Sequence, residues 1–326
     1  MILYLATIIA GFAILVWSAD KFVDGASATA KHLGMPSLLI GILIVGFGTS
    51  APEMVVSAIA AMEGNPGLAL GNAIGSNIVN IALILGITAL IAPITVNSKI
   101  VKKEIPLLLL IVLVIGYLLF DNTLTLLEGI ILLFGFFALV GWSIFAAIKG
   151  KGDALELEME DELIEQDMSL KTGIIWLVIG LILLIASSRL LVWGAVGVAT
   201  EFGVSDLIIG LTIVALGTSL PELAASIIAA RKGEHDIAIG NVVGSNMFNI
   251  LAVIGIAVVI APMNNIPVEV LQRDWIVMLV LTIALLAMSY GFRAKNGVIN
   301  RIEGIILILC YVAYNTYLGI SLTGSL

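Results

Sequence analysis

Charge is what this sequence has least of. Asp, Glu, Lys and Arg make up 12% of its 326 residues, against 60% hydrophobic residues; a soluble domain carries about 25% charged residues. So little charge cannot cover so much apolar surface in water. Several apolar runs also reach or exceed the roughly 20 residues that span a bilayer, so the chain reads as an all-α polytopic membrane protein. Cysteine is nearly absent: Cys310 stands alone in an apolar segment, and no internal disulfide can form. The two histidines, His32 and His235, fall near loop ends and are expected to be solvated. No intramembrane His or Cys cluster therefore offers the nitrogen or sulfur that zinc or copper prefers. A basic surplus is missing too, and no nucleic-acid partner is expected. The apolar run at residues 2–17 lacks a basic leading region and a small-residue cleavage site, so it predicts a first transmembrane helix instead of a signal peptide.

The acidity is local. Asp153, Glu156, Glu158, Glu160, Asp161, Glu162, Glu165 and Asp167 sit together, and the acids outside this cluster match the bases in number. The net charge of −8 is therefore uninformative about a substrate. The cluster reads as a solvated linker, with a regulatory cation-binding segment as the alternative. Apolar segments fall at 2–32, 37–62, 67–92, 105–120 and 123–149, then at 172–201, 205–230, 236–262, 274–292 and 299–322. Ten spans follow, the first and sixth long and tilted. With the N-terminus outside, thirteen of the fifteen Lys and Arg lie in or beside cytoplasmic loops; only Arg189 and Arg273 fall outside. This positive-inside bias places both termini on the extracytoplasmic side of the cell membrane and the linker in the cytoplasm. Asp20 and Asp24, near the inner end of the first span, read as surface groups.

The halves repeat at an offset of 169. Gly25, Gly41, Gly48, Glu53, Gly71, Asn80 and Pro93 map without a gap onto Gly194, Gly210, Gly217, Glu222, Gly240, Asn249 and Pro262. Further on, EGIILL at Glu128 pairs with EGIILI at Glu303. Three parts follow: a five-helix repeat at 1–149, the cytoplasmic linker at 150–171 and a second five-helix repeat at 172–326. An odd number of spans per repeat makes the second run opposite to the first. That is the inverted-repeat plan of secondary transporters, with sites near the midplane.

Two motifs occur twice. GTSAPE (48–53) and GTSLPE (217–222) put Pro52 and Pro221 inside the second and seventh spans. Each proline removes the donor to the carbonyl four residues back and breaks the helix. Nearby carbonyls, such as those of Gly46 and Ala215, are then expected to turn out of the ladder, which a membrane tolerates only inside protein or beside a wet cavity. Thr49 and Ser50 share a face with Glu53, as Thr218 and Ser219 do with Glu222. GNAIGSN with Asn80, and GNVVGSN with Asn249, align Asn72, Ser76 and Asn80, and likewise Asn241, Ser245 and Asn249, at four-residue spacing. Gly71, Gly75, Gly240 and Gly244 permit close helix approach. Asn72, Asn241, Asn77 and Asn246 either join the polar set or brace the broken helices.

Small-xxx-small spacing alone is ordinary helix packing, and a lone proline is an ordinary kink. Neither accounts for two carboxylates at equivalent intramembrane places, which are functional by default. Every candidate ligand is an oxygen, and hard cations such as Ca²⁺ and Na⁺ suit that set, with Mn²⁺ and Mg²⁺ less easily excluded.

The paired GTSxPE and GNxxGSN motifs resemble the alpha repeats of the cation/Ca²⁺ exchanger superfamily, most closely its prokaryotic sodium/calcium exchanger branch. The resemblance covers nearly the whole chain. It implies Ca²⁺ and Na⁺ positions between spans two, three, seven and eight, with Glu53 and Glu222 as shared carboxylates. Thr49, Ser50, Thr218 and Ser219 would give hydroxyl or carbonyl oxygens; Ser76, Ser245, Asn80, Asn249 and the carbonyls of Gly46 and Ala215 would complete the set. Spans one and six would slide across the other eight to alternate access. Some relatives, notably potassium-dependent exchangers, place an Asp where Asn249 stands, which argues against potassium cotransport here. The proton-coupled branch has a Glu in the second-motif helix, where this chain has Gly75 and Gly244.

The expected function is Ca²⁺/Na⁺ antiport by a monomer, with no enzymatic activity and no cofactor beyond the transported ions. Neutralising the two carboxylates, by either ion, should permit the switch between faces. An H⁺-coupled divalent-cation antiporter is the alternative; a channel and a non-transporting scaffold fit less well.

Overall fold

The structure, a computed structural model, describes residues 1–96, 101–149, 168–202, 215–290 and 297–323. The expected linker lies outside the described residues except for its last four, and so do the first ten residues of the expected seventh span. The fold is almost wholly helical. In chain order it comprises α1 (Ile2–Leu33), α2 (Ser37–Thr49), α3 (Ala51–Met62), α4 (Pro66–Ile91), β1 (Ile94–Val96), α5 (Val101–Leu118) and α6 (Leu126–Lys149). The second half comprises α7 (Leu170–Glu201), α8 (Ala215–Thr218), α9 (Leu220–Arg231), α10 (His235–Ile260), α11 (Val270–Ser289), β2 (Gly297–Ile299) and α12 (Arg301–Thr323). Among the described residues eight single helices are long and apolar enough to cross a membrane, and the bent α2–α3 pair makes nine. The tenth expected span is the one only partly described, α8–α9.

Burial follows the order of the motifs. α4 and α10, which carry GNxxGSN, are the most enclosed spans, 72% and 83% buried, whereas α12 is 11% buried and turns its apolar side chains outward. α1 and α7 are 32 residues each. At about 1.5 Å per residue each is roughly 48 Å long, well beyond a hydrocarbon core of about 30 Å. They pack along each other through backbone contact. A Cβ built on Gly25 falls 2.7 Å from the Gly173 carbonyl oxygen, and one on Gly180 falls 2.8 Å from Phe22 Cα. The terminal amino group reaches Glu201 at 2.7 Å, joining the far ends of the pair.

The two halves interlock through their last helices. Gly304 of α12 lies against Gly86 of α4, its would-be Cβ 2.7 Å from the Gly86 carbonyl oxygen. Gly129 of α6 lies against Val258 and Val259 of α10, and Gly255 of α10 against Leu132 and Leu133 of α6. Gly86 and Gly255 are related by the offset of 169. Short antiparallel pairings repeat the exchange: β1 pairs with β2, Ile94 opposite Ile299, and Leu124 bridges Met263. The entry to each final helix thus meets the exit of the other half's third span. Pro93 and Pro262 end those spans, holding Ala92 and Ala261 in extended backbone (φ −135° and −140°) where a helix cannot continue.

The repeated EGIIL motif has a local cause. Thr125 N donates to Glu128 Oε2 at 2.6 Å and Glu128 N to Thr125 Oγ1 at 3.4 Å. At the other copy Asn300 N donates to Glu303 Oε2 at 2.8 Å and Glu303 N to Asn300 Oδ1 at 3.1 Å. Both are capping boxes that satisfy orphan amides of a first helical turn. Glu128→Ala is expected to cost about 1 kcal/mol of stability and leave transport intact, read as a small drop in thermal midpoint in detergent.

Candidate functional site

Pro52 and Pro221 break their helices as their chemistry requires. α2 stops at Thr49, Ser50 sits at φ −82°, ψ 0°, and α3 leaves at 42° to α2 with Pro52 in its first turn. Ser219 holds the same conformation, φ −92°, ψ 5°, before α9 and Pro221. The expectation that the Gly46 carbonyl turns away is corrected: it still accepts from Ser50 N at 3.1 Å, and also from Ser245 Oγ at 3.3 Å. The reason is position, since Pro52 deletes the donor to Gly48, two residues further on. In the second copy the carbonyl so released is that of Gly217, and Ser188 of α7 takes it at 2.8 Å. Ala215 opens α8, and its immediate predecessors lie outside the described residues.

α4 and α10 supply the facing wall. Each widens into a π-helical turn, Val79–Leu85 and Asn249–Ile254, around Asn80 and Asn249. Such turns are rare and concentrate at functional sites. Gly240 lies against Leu38 and Gly41, and Gly244 against Ile42, so α10 meets α2 backbone to backbone. The segment equivalent to α2 that Gly71 and Gly75 would meet, 207–211, lies outside the described residues.

The polar side chains converge. Thr49, Ser50, Glu53, Asn77, Asn80, Ser219, Glu222, Asn241, Ser245, Asn246 and Asn249 are each at most 2% exposed and Ser76 is 6% exposed, while Asn72 and Thr218 are half-buried. They bond across the halves. Ser50 Oγ donates to Glu222 Oε1 at 3.3 Å, and Thr49 Oγ1 lies 3.1 Å from Asn241 Oδ1. Asn80 Nδ2 donates to Asn246 Oδ1 at 3.0 Å, and Asn249 Nδ2 to Asn77 Oδ1 at 3.3 Å. These two amide bonds are images of each other under the offset of 169. Asn77 and Asn246, expected either to join the polar set or to brace the broken helices, are the direct partners of Asn249 and Asn80.

Two residues were missed. Asn72 Nδ2 donates to Ser57 Oγ at 3.1 Å and Asn241 Nδ2 to Ser226 Oγ at 2.8 Å. Ser57 and Ser226 are themselves 169 apart, so the register could have found them. Their bonds hold α4 to α3 and α10 to α9, next to the carboxylates. Asp20, its side chain 36% exposed, lies at the surface as expected, but Asp24 needs correction: its side chain is 14% exposed, and both acids bind Lys232, at 2.6 Å and 2.5 Å.

After this pairing, the centre keeps a surplus of acceptors. Glu53 Oε1 and Oε2, Glu222 Oε2, Asn80 Oδ1, Asn249 Oδ1 and Ser219 Oγ are buried oxygens with no hydrogen-bond partner among the described residues. A buried acceptor without a donor costs about 1–3 kcal/mol, and an unpaired carboxylate more. Three come from each half, and two of the six sit on one carboxylate. The set can satisfy a hard cation. Among the described residues no three His, Cys, Asp or Glu side chains cluster, so a cation held here would need neutral oxygens as well as the carboxylates. A cavity of about 250 Å³ opens beside this centre, lined by Pro52, Val56, Ser188, Arg189, Trp193 and Thr218 among others.

Comparison with known proteins agrees with this architecture. The profile of the family described as sodium/calcium exchanger protein matches residues 3–145 and 172–319, one block on each side of the linker. The CaxA protein of Alkalimonas amylolytica is 49% identical over 94% of this chain and 96% of its own length. The inner membrane protein YrbG of Escherichia coli strain K12 is 42% identical, covering 87% of each chain. Among solved structures, the sodium-calcium exchanger NCX_Mj soaked with zero Na⁺ and Ca²⁺ superposes with a TM-score of 0.83 at 31% identity, over 97% of this chain and 98% of that one.

Proposed function

Because this chain belongs to the sodium/calcium exchanger protein family, we propose that it is an antiporter exchanging Ca²⁺ for Na⁺ across the cytoplasmic membrane by alternating access. The observation that carries the reading is the surplus of buried oxygens, drawn equally from the two copies of each motif. Glu53 and Glu222 are the carboxylates that meet the cation charge. Thr49, Ser50, Thr218, Ser219, Ser76, Ser245, Asn80 and Asn249, with the carbonyls of Gly46 and Ala215, form the pool of neutral ligands. Asn72, Asn77, Asn241 and Asn246 hold that pool in place, with Ser57 and Ser226. One chain contains the whole set, so a monomer suffices.

Coupling follows from charge. Without a cation the site carries buried negative charge that no described donor fully satisfies, and moving the surrounding helices past it is costly. One Ca²⁺ or a set of Na⁺ ions neutralises it, so only loaded carriers cross. The two repeats, 1–149 and 172–326, are taken as inverted, with positive loops and the linker inside and both termini outside. The unit that moves is α1 with α7, whose mutual seam is backbone-tight while the helices they cross are separate elements.

The test is uptake of radiolabelled Ca²⁺ into proteoliposomes loaded with Na⁺ and diluted into Na⁺-free buffer, with a protonophore control. Uptake that requires the Na⁺ gradient and survives the protonophore is the expected result. Uptake that ignores Na⁺ and follows an imposed pH gradient would replace Na⁺ by H⁺ as the coupling ion.

A further inference from the structure

The two faces of the molecule are not in the same state. On one face the cavity runs between α7 and the α3 and α8–α9 elements, past Arg189 and Trp193 to Thr218. Applying the offset of 169 to the inner part of its lining gives Ala19, Val23, Thr49 and Ala225 on the other face, each at most 1% exposed, while Val16 and the Asp20 side chain at the rim stay exposed. At these four positions the image of the cavity is closely packed.

The packed face is bridged by charge. Lys232, in the α9–α10 loop, binds Asp20 at 2.6 Å and Asp24 at 2.5 Å, and also the Asp20 carbonyl oxygen at 3.2 Å. Lys21 binds the same two carboxylates at 3.2 and 3.6 Å. One turn on, Ser27 donates to Glu234 of the same loop. The Lys232 and Glu234 contacts tie the α1–α7 unit to the loop between α9 and α10, while Lys21 steadies the two carboxylates from within α1.

The equivalent positions on the open face carry the opposite signs. Asp20 maps to Arg189, and Lys232 maps to Glu63 in the α3–α4 loop. The two loops share one backbone conformation: Glu63 has φ −79°, ψ 4° and Lys232 φ −83°, ψ −2°, followed by Gly64 at φ 79° and Gly233 at φ 82°. Arg189 and Glu63 are both exposed, and neither makes an ion pair among the described residues. At positions matched in both sequence and backbone, the two charges keep the opposite signs that a counterpart ion pair needs, each inverted from its equivalent.

We propose that Arg189 and Glu63 form the counterpart latch, closing the second face when the α1–α7 unit slides and the Asp20–Lys232 and Asp24–Lys232 bridges open. This rests on the alternating-access reading above. Each latch holds one state, and transport requires that each be weak enough to break. Exposed pairs have that strength, biasing an equilibrium by roughly five-fold or less each.

The experiment uses the full chain with Cys310→Ala, reconstituted in liposomes. Cysteine pairs are placed at Asp20 and Lys232 (D20C/K232C) or at Glu63 and Arg189 (E63C/R189C), then oxidised with copper phenanthroline. Both pairs are expected to cross-link, both cross-links to stop Ca²⁺ exchange, and reductant to restore it. The charge swap E63K/R189E should exchange within about two-fold of the parent, and the single variants roughly five-fold slower. No E63C/R189C cross-link under either Na⁺ or Ca²⁺, alongside a blocking D20C/K232C cross-link, overturns the counterpart latch and leaves alternating access standing. A swap no better than either single variant overturns it as well. A D20C/K232C cross-link that forms while exchange continues removes alternating access itself, and the latch with it.

Discussion

In proteoliposomes, Glu53→Gln and Glu222→Gln are each expected to lower Na⁺-dependent Ca²⁺ uptake by at least about 100-fold. Losing a residue that merely orients a metal ligand costs 10–100-fold, and here the ligand charge itself goes. The same substitutions should make the protein no less stable in ion-free buffer, an outcome opposite to that of most core changes. Glu53 is fully buried and both its oxygens lack a donor among the described residues. An uncompensated buried charge destabilises by several kcal/mol, and the amide removes it. A parent protein that binds Ca²⁺ gains thermal stability in proportion to the logarithm of Ca²⁺ concentration; the variants lose that gain. Thermal unfolding with and without Ca²⁺ reads both effects in one series. Wild-type uptake by either variant would remove the carboxylates from the site, and a large loss of ion-free stability would make them structural.

The second large effect lies in the seam of the sliding unit. Gly25→Val should abolish folded, active protein. A Cβ at this position lies 2.7 Å from the Gly173 carbonyl oxygen and closer still to the Leu177 amide. Those neighbours are backbone and cannot rotate aside, so α1 must lift off α7 along its length. Overpacking typically costs 1–3 kcal/mol where side chains can adjust, and roughly 3 kcal/mol or more is expected where they cannot. Gly67→Ala is the matched control. It adds the same first carbon in the opening turn of α4, where nothing lies within 4 Å. A neutral effect, or a gain of up to about 1 kcal/mol, is expected there. Size-exclusion profiles and thermal midpoints in detergent compare the two; a Gly25→Val protein that folds and exchanges normally would mean that α1 and α7 do not move as one unit.

Much of this was legible before any coordinates. The offset of 169 rests on residues whose types are hard to replace, prolines that break helices and carboxylates buried in hydrocarbon, so composition and register alone led to two facing broken helices. The pairing within the site was not legible. Asn80 meets Asn246 and Asn249 meets Asn77 because α4 and α10 face each other, and no local period encodes a contact at that separation. The π-helical turns were invisible for a related reason: at a spacing of four, Asn72, Ser76 and Asn80 also fit an ordinary helix. Ser57 and Ser226 were passed over because a single serine in a membrane helix usually bonds its own backbone. Asp20 and Asp24 read as surface groups because hydropathy places them at a span's end, and it says nothing of a lysine from a distant loop arriving between them.

The exchange of final helices has a consequence for how the protein is made. Gly86 of α4 finds its packing partner only when Gly304 of α12 has been synthesised. At 5–20 residues per second that interval is on the order of tens of seconds. Throughout it the third span sits in the membrane with one flank covered by lipid alone, and the reverse debt falls on α6, which waits for α10. Assembly is therefore bound to the end of translation: a chain that stops short of its last helix has α10 seated on α6 but leaves α4 without its partner.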